Sequence, residues 1–244
     1  MPVFKISDTE GDPLINNNRL KFESFVQDFN PAETFVTQTI VLQNGWNFVG
    51  TYIDAQASAA AGVGTFATGA SITNMLSSLG DNVIFAKDFE GSAYLPDYGY
   101  DGVGLIRNGY GYLVKVGDNI MGNSGTFELT ISGRPIVLEE TSQLLGTVQY
   151  YGCEIQFPEG WFNFTIPFNM QNDQLSGVGN YDVATVLDHL TDGQISLITI
   201  LKDFQGSAFL PEWNFNGVGD FTAGQSYLIK SASAWTGRFT GTLI

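Results

Sequence analysis

Asp88, Asp97 and Asp101, with Gly102 directly behind them, are the residues of this chain that most suggest chemistry. Carboxylate and carbonyl oxygens are the ligands calcium takes, and a glycine lets a liganding loop turn sharply. The same stretch carries Tyr94, Tyr98 and Tyr100, whose rings offer an apolar face and a polar tip, as sugar binding requires. Other chemistry is sparse. The one histidine, His189, and the one cysteine, Cys153, lie apart in the sequence, and nothing brings them together as a nucleophile and base. Two acids about 5–10 Å apart would serve glycoside hydrolysis, but none of the 25 acids stands in an unusual context. No phosphate loop and no zinc spacing is present.

The candidate stretch occurs twice. KDFEGSAYLPDYGYDGVG (87–104) returns as KDFQGSAFLPEWNFNGVG (202–219), with 11 of 18 positions identical. This repetition tests the metal reading. Asp88 returns as Asp203, but Asp97 becomes Glu212 and Asp101 becomes Asn216. A shared calcium site would keep its charge, so Asp88 and Asp203 read as turn caps and calcium stays a weak alternative. The rings recur as Phe209, Trp213 and Phe215. They read either as a lid over each repeat's core or as a binding surface, and core packing is favoured because packing demands such repetition. Gly91 and Gly206 recur together, as do Gly102 with Gly217 and Gly104 with Gly219, which predicts positive φ. Pro96 and Pro211 stop the loop from pairing as a central strand.

The likeness extends both ways. TIVLQNGWNFVGTYI (39–53) answers EIQFPEGWFNFTIPF (154–168), aligned with one extra residue after Trp161, so that Trp46 answers Trp161. SITNMLSSL (71–79) answers DVATVLDHL (182–190). Ile72, Met75, Leu76 and Leu79, and Val183, Val186, Leu187 and Leu190, fall at i, i+3, i+4 and i+7, behind Ser71 and Asp182 as N-caps. This predicts a helix of two to three turns in each copy, with His189 on the solvated face. VIFAKD and ITILKD read as buried strands, and NGYGYLVK answers AGQSYLIK as another. The expected order per copy is strand, helix, strand, patterned loop, strand and closing strand. The fold class is therefore α+β, with two tandem modules (39–133 and 154–244), each a small, mostly antiparallel sheet with one short helix. Residues 1–38 form an N-terminal arm, 134–153 a linker with added strands, and 62–69 a flexible surface loop.

Composition bounds the partners. Hydrophobic residues make up 43% and charged residues 14%, enough for real cores. A net charge of −15 argues against nucleic acid and anionic membranes. A single cysteine rules out an internal disulfide, so Cys153 reads as a small buried apolar residue. The opening residues lack a signal-peptide pattern, so the Asn163-Phe164-Thr165 sequon is expected to be inert.

The Gly-Trp-Asn strand, short helix, patterned loop and Gly-Tyr-x-hydrophobic-Lys strand together resemble modules of large bacterial surface proteins. They also resemble structural proteins of marine tailed phages, cyanophages included. The resemblance covers residues 40–133 and 155–244, and the second copy departs from it where Gly111 becomes Ser226. It implies a building block. The resulting expectation is a non-enzymatic virion structural protein (capsid decoration, fibre, or tail or neck component), assembled in the host cytoplasm. It would be homo-oligomeric, bound to other virion proteins and without a cofactor. The alternatives are a carbohydrate-binding adhesion module, virion-borne or on a cell surface, and a glycan hydrolase.

Overall fold

The computed structural model describes residues 36–53, 70–117, 125–133, 151–170 and 181–242. Residues 1–35 of the expected arm, the loop at 62–69 and most of the linker lie outside the described residues, while residues 36–38 of that arm belong to the first strand.

The first module begins with β1 (Val36–Gln43) and β2 (Gly45–Gly50). A one-turn helix α1 (Ile72–Met75) leads through a 3-10 segment (Ser77–Asn82) into β3 (Val83–Lys87). Next come β4 (Ala93–Leu95), a 3-10 turn (Pro96–Tyr98), β5 (Tyr100–Asp101), β6 (Gly111–Val116) and β7 (Thr126–Gly133). The second module repeats the order as β8 (Tyr151–Phe157), β9 (Gly160–Thr165), α2 (Val183–Leu190), β10 (Ile198–Lys202) and β11 (Ala208–Leu210). It ends with a 3-10 turn (Pro211–Trp213), β12 (Phe215–Asn216), β13 (Ser226–Ser231) and β14 (Trp235–Gly241). The architecture is α+β and mostly antiparallel sheet. Each module has a five-stranded sheet, ordered β2-β6-β3-β4-β5 or β12-β11-β10-β13-β9, and a separate two-stranded ribbon, β1-β7 or β14-β8. β1 and β8 each start three residues ahead of the expected module boundaries, and β8 takes in Cys153.

Each module has one core. In the first, Leu42 of β1 and Leu129 and Ile131 of β7 meet Ile72, Met75 and Leu79 of the helical segment and Val114 of β6. In the second, Ile155 and Phe157 meet Val183, Val186 and Leu187, with Phe164, Phe221 and Tyr227 filling the middle. Both N-caps hold as expected: Ser71 Oγ accepts from Asn74 N at 3.2 Å and Asp182 Oδ1 from Thr185 N at 2.8 Å.

Two sequence expectations are corrected. First, there is no extra residue after Trp161. β2 pairs with β6 from Gly45↔Val116 to Gly50↔Gly111, and β9 pairs with β13 from Gly160↔Ser231 to Thr165↔Ser226, at a constant offset of 115. Asn47 therefore corresponds to Phe162, and Phe48 to Asn163. Asn47 pins the β1–β2 turn, donating to Gln43 O (2.8 Å) and Gly45 O (3.0 Å) and accepting from Gln43 N (2.9 Å). The second module makes that turn with Pro158-Glu159 instead, and its asparagine moves one position along the strand. Second, the first helix is a single α turn. The second module has four more residues before β10, Thr191 to Gln194, and they let α2 run its full length. The first module must cover the same ground with fewer residues, and the 3-10 form rises about 2.0 Å per residue against 1.5 Å for the α form.

The modules meet along β2, β6, β9 and β13 about an approximate two-fold relation. Thr165 N donates to Gly109 O at 3.0 Å, and Gln38 Nε2 donates to the equivalent Gly224 O at 3.2 Å. On the axis, equivalent positions carry different residues. The first module has the glycine pair Gly50 and Gly111; the second has Thr165 and Ser226, whose hydroxyls are 2.7 Å apart. A Cβ on Gly50 would overlap Thr165 Oγ1 and lie 2.5 Å from Ser226 Oγ; one on Gly111 would lie 2.5 Å from the Asn163 amide. Neither glycine has positive φ, so space alone dictates them. Asn163, the sequon asparagine, is buried here. Gly50→Ala is expected to lower stability to urea by about 1–3 kcal/mol, and adding Thr165→Gly to restore part of it. Equal midpoints for Gly50→Ala and wild type would contradict the joint.

Candidate functional site

The repeated loop is built on the same plan in both modules. Asp88 Oδ1 accepts from Glu90 N (2.9 Å) and Ser92 N (2.8 Å), and Asp203 Oδ1 accepts from Ser207 N (2.7 Å). Gly91 and Gly206, at φ 102° and 97°, complete this turn. Short strands β4 and β11 follow. Pro96 and Pro211 then start a 3-10 turn that closes with Gly99 N to Pro96 O (2.9 Å) and Asn214 N to Pro211 O (3.0 Å). Gly99 and Asn214 are left-handed. That conformation suits glycine or asparagine, which explains the one pair of the repeat that changes character. Of the other glycines, Gly104 and Gly219 have positive φ as expected, whereas Gly102 and Gly217 do not. These last two are needed for close approach: a Cβ there would meet the ring of Tyr100 or Phe215 and the carbonyl of Ala93 or Ala208.

The aromatic candidates divide. Phe209 is buried in its core, and Tyr94 is half-buried against the other. The other four point outward: Tyr98 is 83% exposed, Trp213 72%, Tyr100 53% and Phe215 52%. The expected lid over each core is therefore corrected to a projecting tip. The physical reason is the brevity of the hairpin. β4 pairs with β5, and β11 with β12, over two residues each, and the left-handed residue turns the chain back before the rings can reach the core.

The tip is moored to the helix. Ile72 N donates to Gly104 O (2.9 Å) and Val183 N to Gly219 O (3.0 Å). In the first module Asp101 Oδ1 accepts from Gly104 N (2.7 Å), and its Oδ2 accepts from Thr73 Oγ1 (3.1 Å). In the second, Asn216 Oδ1 accepts from Gly219 N (2.8 Å), and its Nδ2 donates to Asp182 Oδ2 (3.0 Å). The change from Asp101 to Asn216 thus follows the change of cap from Ser71 to Asp182: a carboxylate facing Asp182 would repel it. Asn216→Asp is expected to cost about 1–2 kcal/mol at neutral pH. The loss should shrink when Asp182→Ser is added; its persistence there would count against the repulsion.

The remaining motif residues position strands. Trp46 lies opposite Lys115 and Trp161 opposite Lys230, each lysine Nζ 5.8 Å from the ring centre. Lys202 also lies over Trp161, at 5.7 Å. Tyr112 Oη accepts from Arg107 N (2.9 Å) and Tyr227 Oη from Thr222 N (2.8 Å), tying each β strand to the loop that enters it. Burial pushes the Tyr112 hydroxyl up to about 12, and burial also raises Tyr227 against the opposing bonds from Thr222. A raised phenol pKa favours the neutral form in the fold. That stability is present below the ordinary value of about 10 and is lost as pH climbs towards 12. Tyr112→Phe, which removes the hydroxyl that titrates there, is expected to flatten this alkaline loss; an unchanged pH profile would contradict it.

His189 is exposed on α2, and Cys153 is buried in β8, where burial first and the Glu154 charge second push its thiol up to about 12. A thiol so held is no nucleophile at neutral pH. Asp97 is exposed, and among the described residues no three His, Cys, Asp or Glu gather as a metal site. Nothing in the sequence pattern marks Gln38 or Arg107, and Asn163 and Thr165 stand out there only as the ends of a sequon. Arg107 pairs with Glu90 at 2.7 Å and lies 4.3 Å over the Tyr110 ring, beside a groove of about 480 Å³ that Gln156 and Trp235 also line. Among the described residues no helix is long and apolar enough to cross a membrane. Searches of protein-family models, curated proteins and solved structures find no match for this chain.

Proposed function

We propose that the chain is a non-enzymatic structural subunit of a tailed-phage particle, acting by assembly through its two aromatic tips. One observation carries the reading: both modules expose equivalent rings, Tyr98 and Trp213, on stiffly built loops, and the modules are locked to each other by a buried joint. Exposed rings spaced by a fixed scaffold suit docking onto neighbours, since aromatic residues anchor interfaces out of proportion to their number. The acidic composition keeps free subunits apart. The resemblance of both modules to phage building blocks points the same way.

Glycan binding is the second reading. The groove beside the joint favours it, because it sets Trp235 and Tyr110 near the polar groups of Arg107, Glu90 and Gln156.

Sedimentation of a lysate of the native source, with mass spectrometry across the fractions, tests the first reading. The chain is expected with megadalton particles at fixed stoichiometry. Tyr98→Ala with Trp213→Ala is expected to leave stability within about 0.5 kcal/mol, as for surface substitutions, and to move the chain to the top of the gradient. Wild-type chain found only at the top would overturn the assembly reading.

A further inference from the structure

Four exposed rings invite the question of what they meet. The internal repeat narrows the answer. Surface positions elsewhere in the loop have drifted between copies: Glu90 became Gln205, and the exposed Leu105 became Asp220. At the tips one pairing is kept, an acid followed by an aromatic, as Asp97-Tyr98 and Glu212-Trp213. All four residues are exposed, so the core does not enforce it.

The rest of the molecule shows what its aromatic faces take. Arg107 lies over Tyr110, Lys115 over Trp46, and Lys202 and Lys230 over Trp161. Among the described residues no cation covers Tyr98 or Trp213. A ring face attracts a cation through its quadrupole, and a neighbouring carboxylate adds charge attraction and a hydrogen-bond acceptor. Resting on the assembly reading above, we infer that each tip is a seat for a lysine or arginine side chain of a basic partner protein. A second copy fits poorly: a chain with 25 acids and 10 bases brings mainly carboxylates, and several of its cations already lie over its own rings. The partner is therefore a different chain, with basic side chains presented to both tips.

Calorimetry of the full chain with a deca-arginine peptide at physiological salt tests this. Tyr98→Ala with Trp213→Ala leaves the net charge at −15, so diffuse attraction is unchanged in the comparison. Affinity is expected to fall about tenfold or more in that variant. A similar fall is expected in Asp97→Asn with Glu212→Gln, judged against a charge-matched control in which two acids remote from the tips, Glu128 and Glu154, are neutralised. Tip and control variants that bind as tightly as wild type, or wild type that does not bind, would overturn the cation seat. So would loss of glycan-array binding in the tip variant with peptide affinity unchanged, which would assign the rings to sugars. The arms separate from the sedimentation test: a tip variant that loses the peptide yet stays with particles preserves the seat and removes only its role in assembly.

Discussion

The meeting of Gly50 with Thr165 and Ser226, and of Gly111 with Asn163, is the constraint on which the arrangement of the chain rests. Two modules of common design face each other about an approximate two-fold axis, so residues on that axis confront their own equivalents. Two glycine pairs would leave a void there, and two hydroxyl pairs would collide. The chain has a hollow in one module and a hydrogen-bonded plug in the other. Once the axis is keyed, the outer contacts fall into place: Gln38 reaches Gly224, Phe48 meets Phe204 edge to face, and Tyr110 meets Phe162 likewise.

This joint gives the tips their meaning as a pair. Each tip is fixed to its own module by the aspartate turn at its base and the helix mooring at its end. The joint holds two such loops on one scaffold. A partner that engaged both at once would meet the second at high effective concentration.

Much of the module was legible in the sequence, because two spellings of each element were available. The helix stripe survived from Ile72-Met75-Leu76-Leu79 to Val183-Val186-Leu187-Leu190, and the caps survived the exchange of Ser71 for Asp182. Local likeness and spatial equivalence part company at two places. Trp161-Phe162-Asn163 looked like Trp46-Asn47 with a residue inserted, since Asn47 holds a turn that the second module makes with a proline. Repetition does not by itself mean core packing: a two-residue hairpin is too short to bring Tyr98 or Trp213 home. The joint was illegible for a different reason: its signature is a mismatch between copies, glycine at 50 and 111 where the second module has Thr165 and Ser226, and such a mismatch looks like drift until Gly50 is seen to sit against both hydroxyls.

The mooring of tip to helix bears on how the two copies can exchange sequence. Ser71 tolerates either loop residue, an aspartate or an asparagine, because a hydroxyl neither repels the one nor is refused by the other. Asp182 accepts only the asparagine. A crossover that joins the first copy's helix to the second copy's loop keeps compatible groups together, whereas the reciprocal product sets Asp182 against a carboxylate. An exchange of sequence between the copies would therefore be compatible in one direction only, decided by a position that lies outside the 11 identical residues of the eighteen-residue phrase.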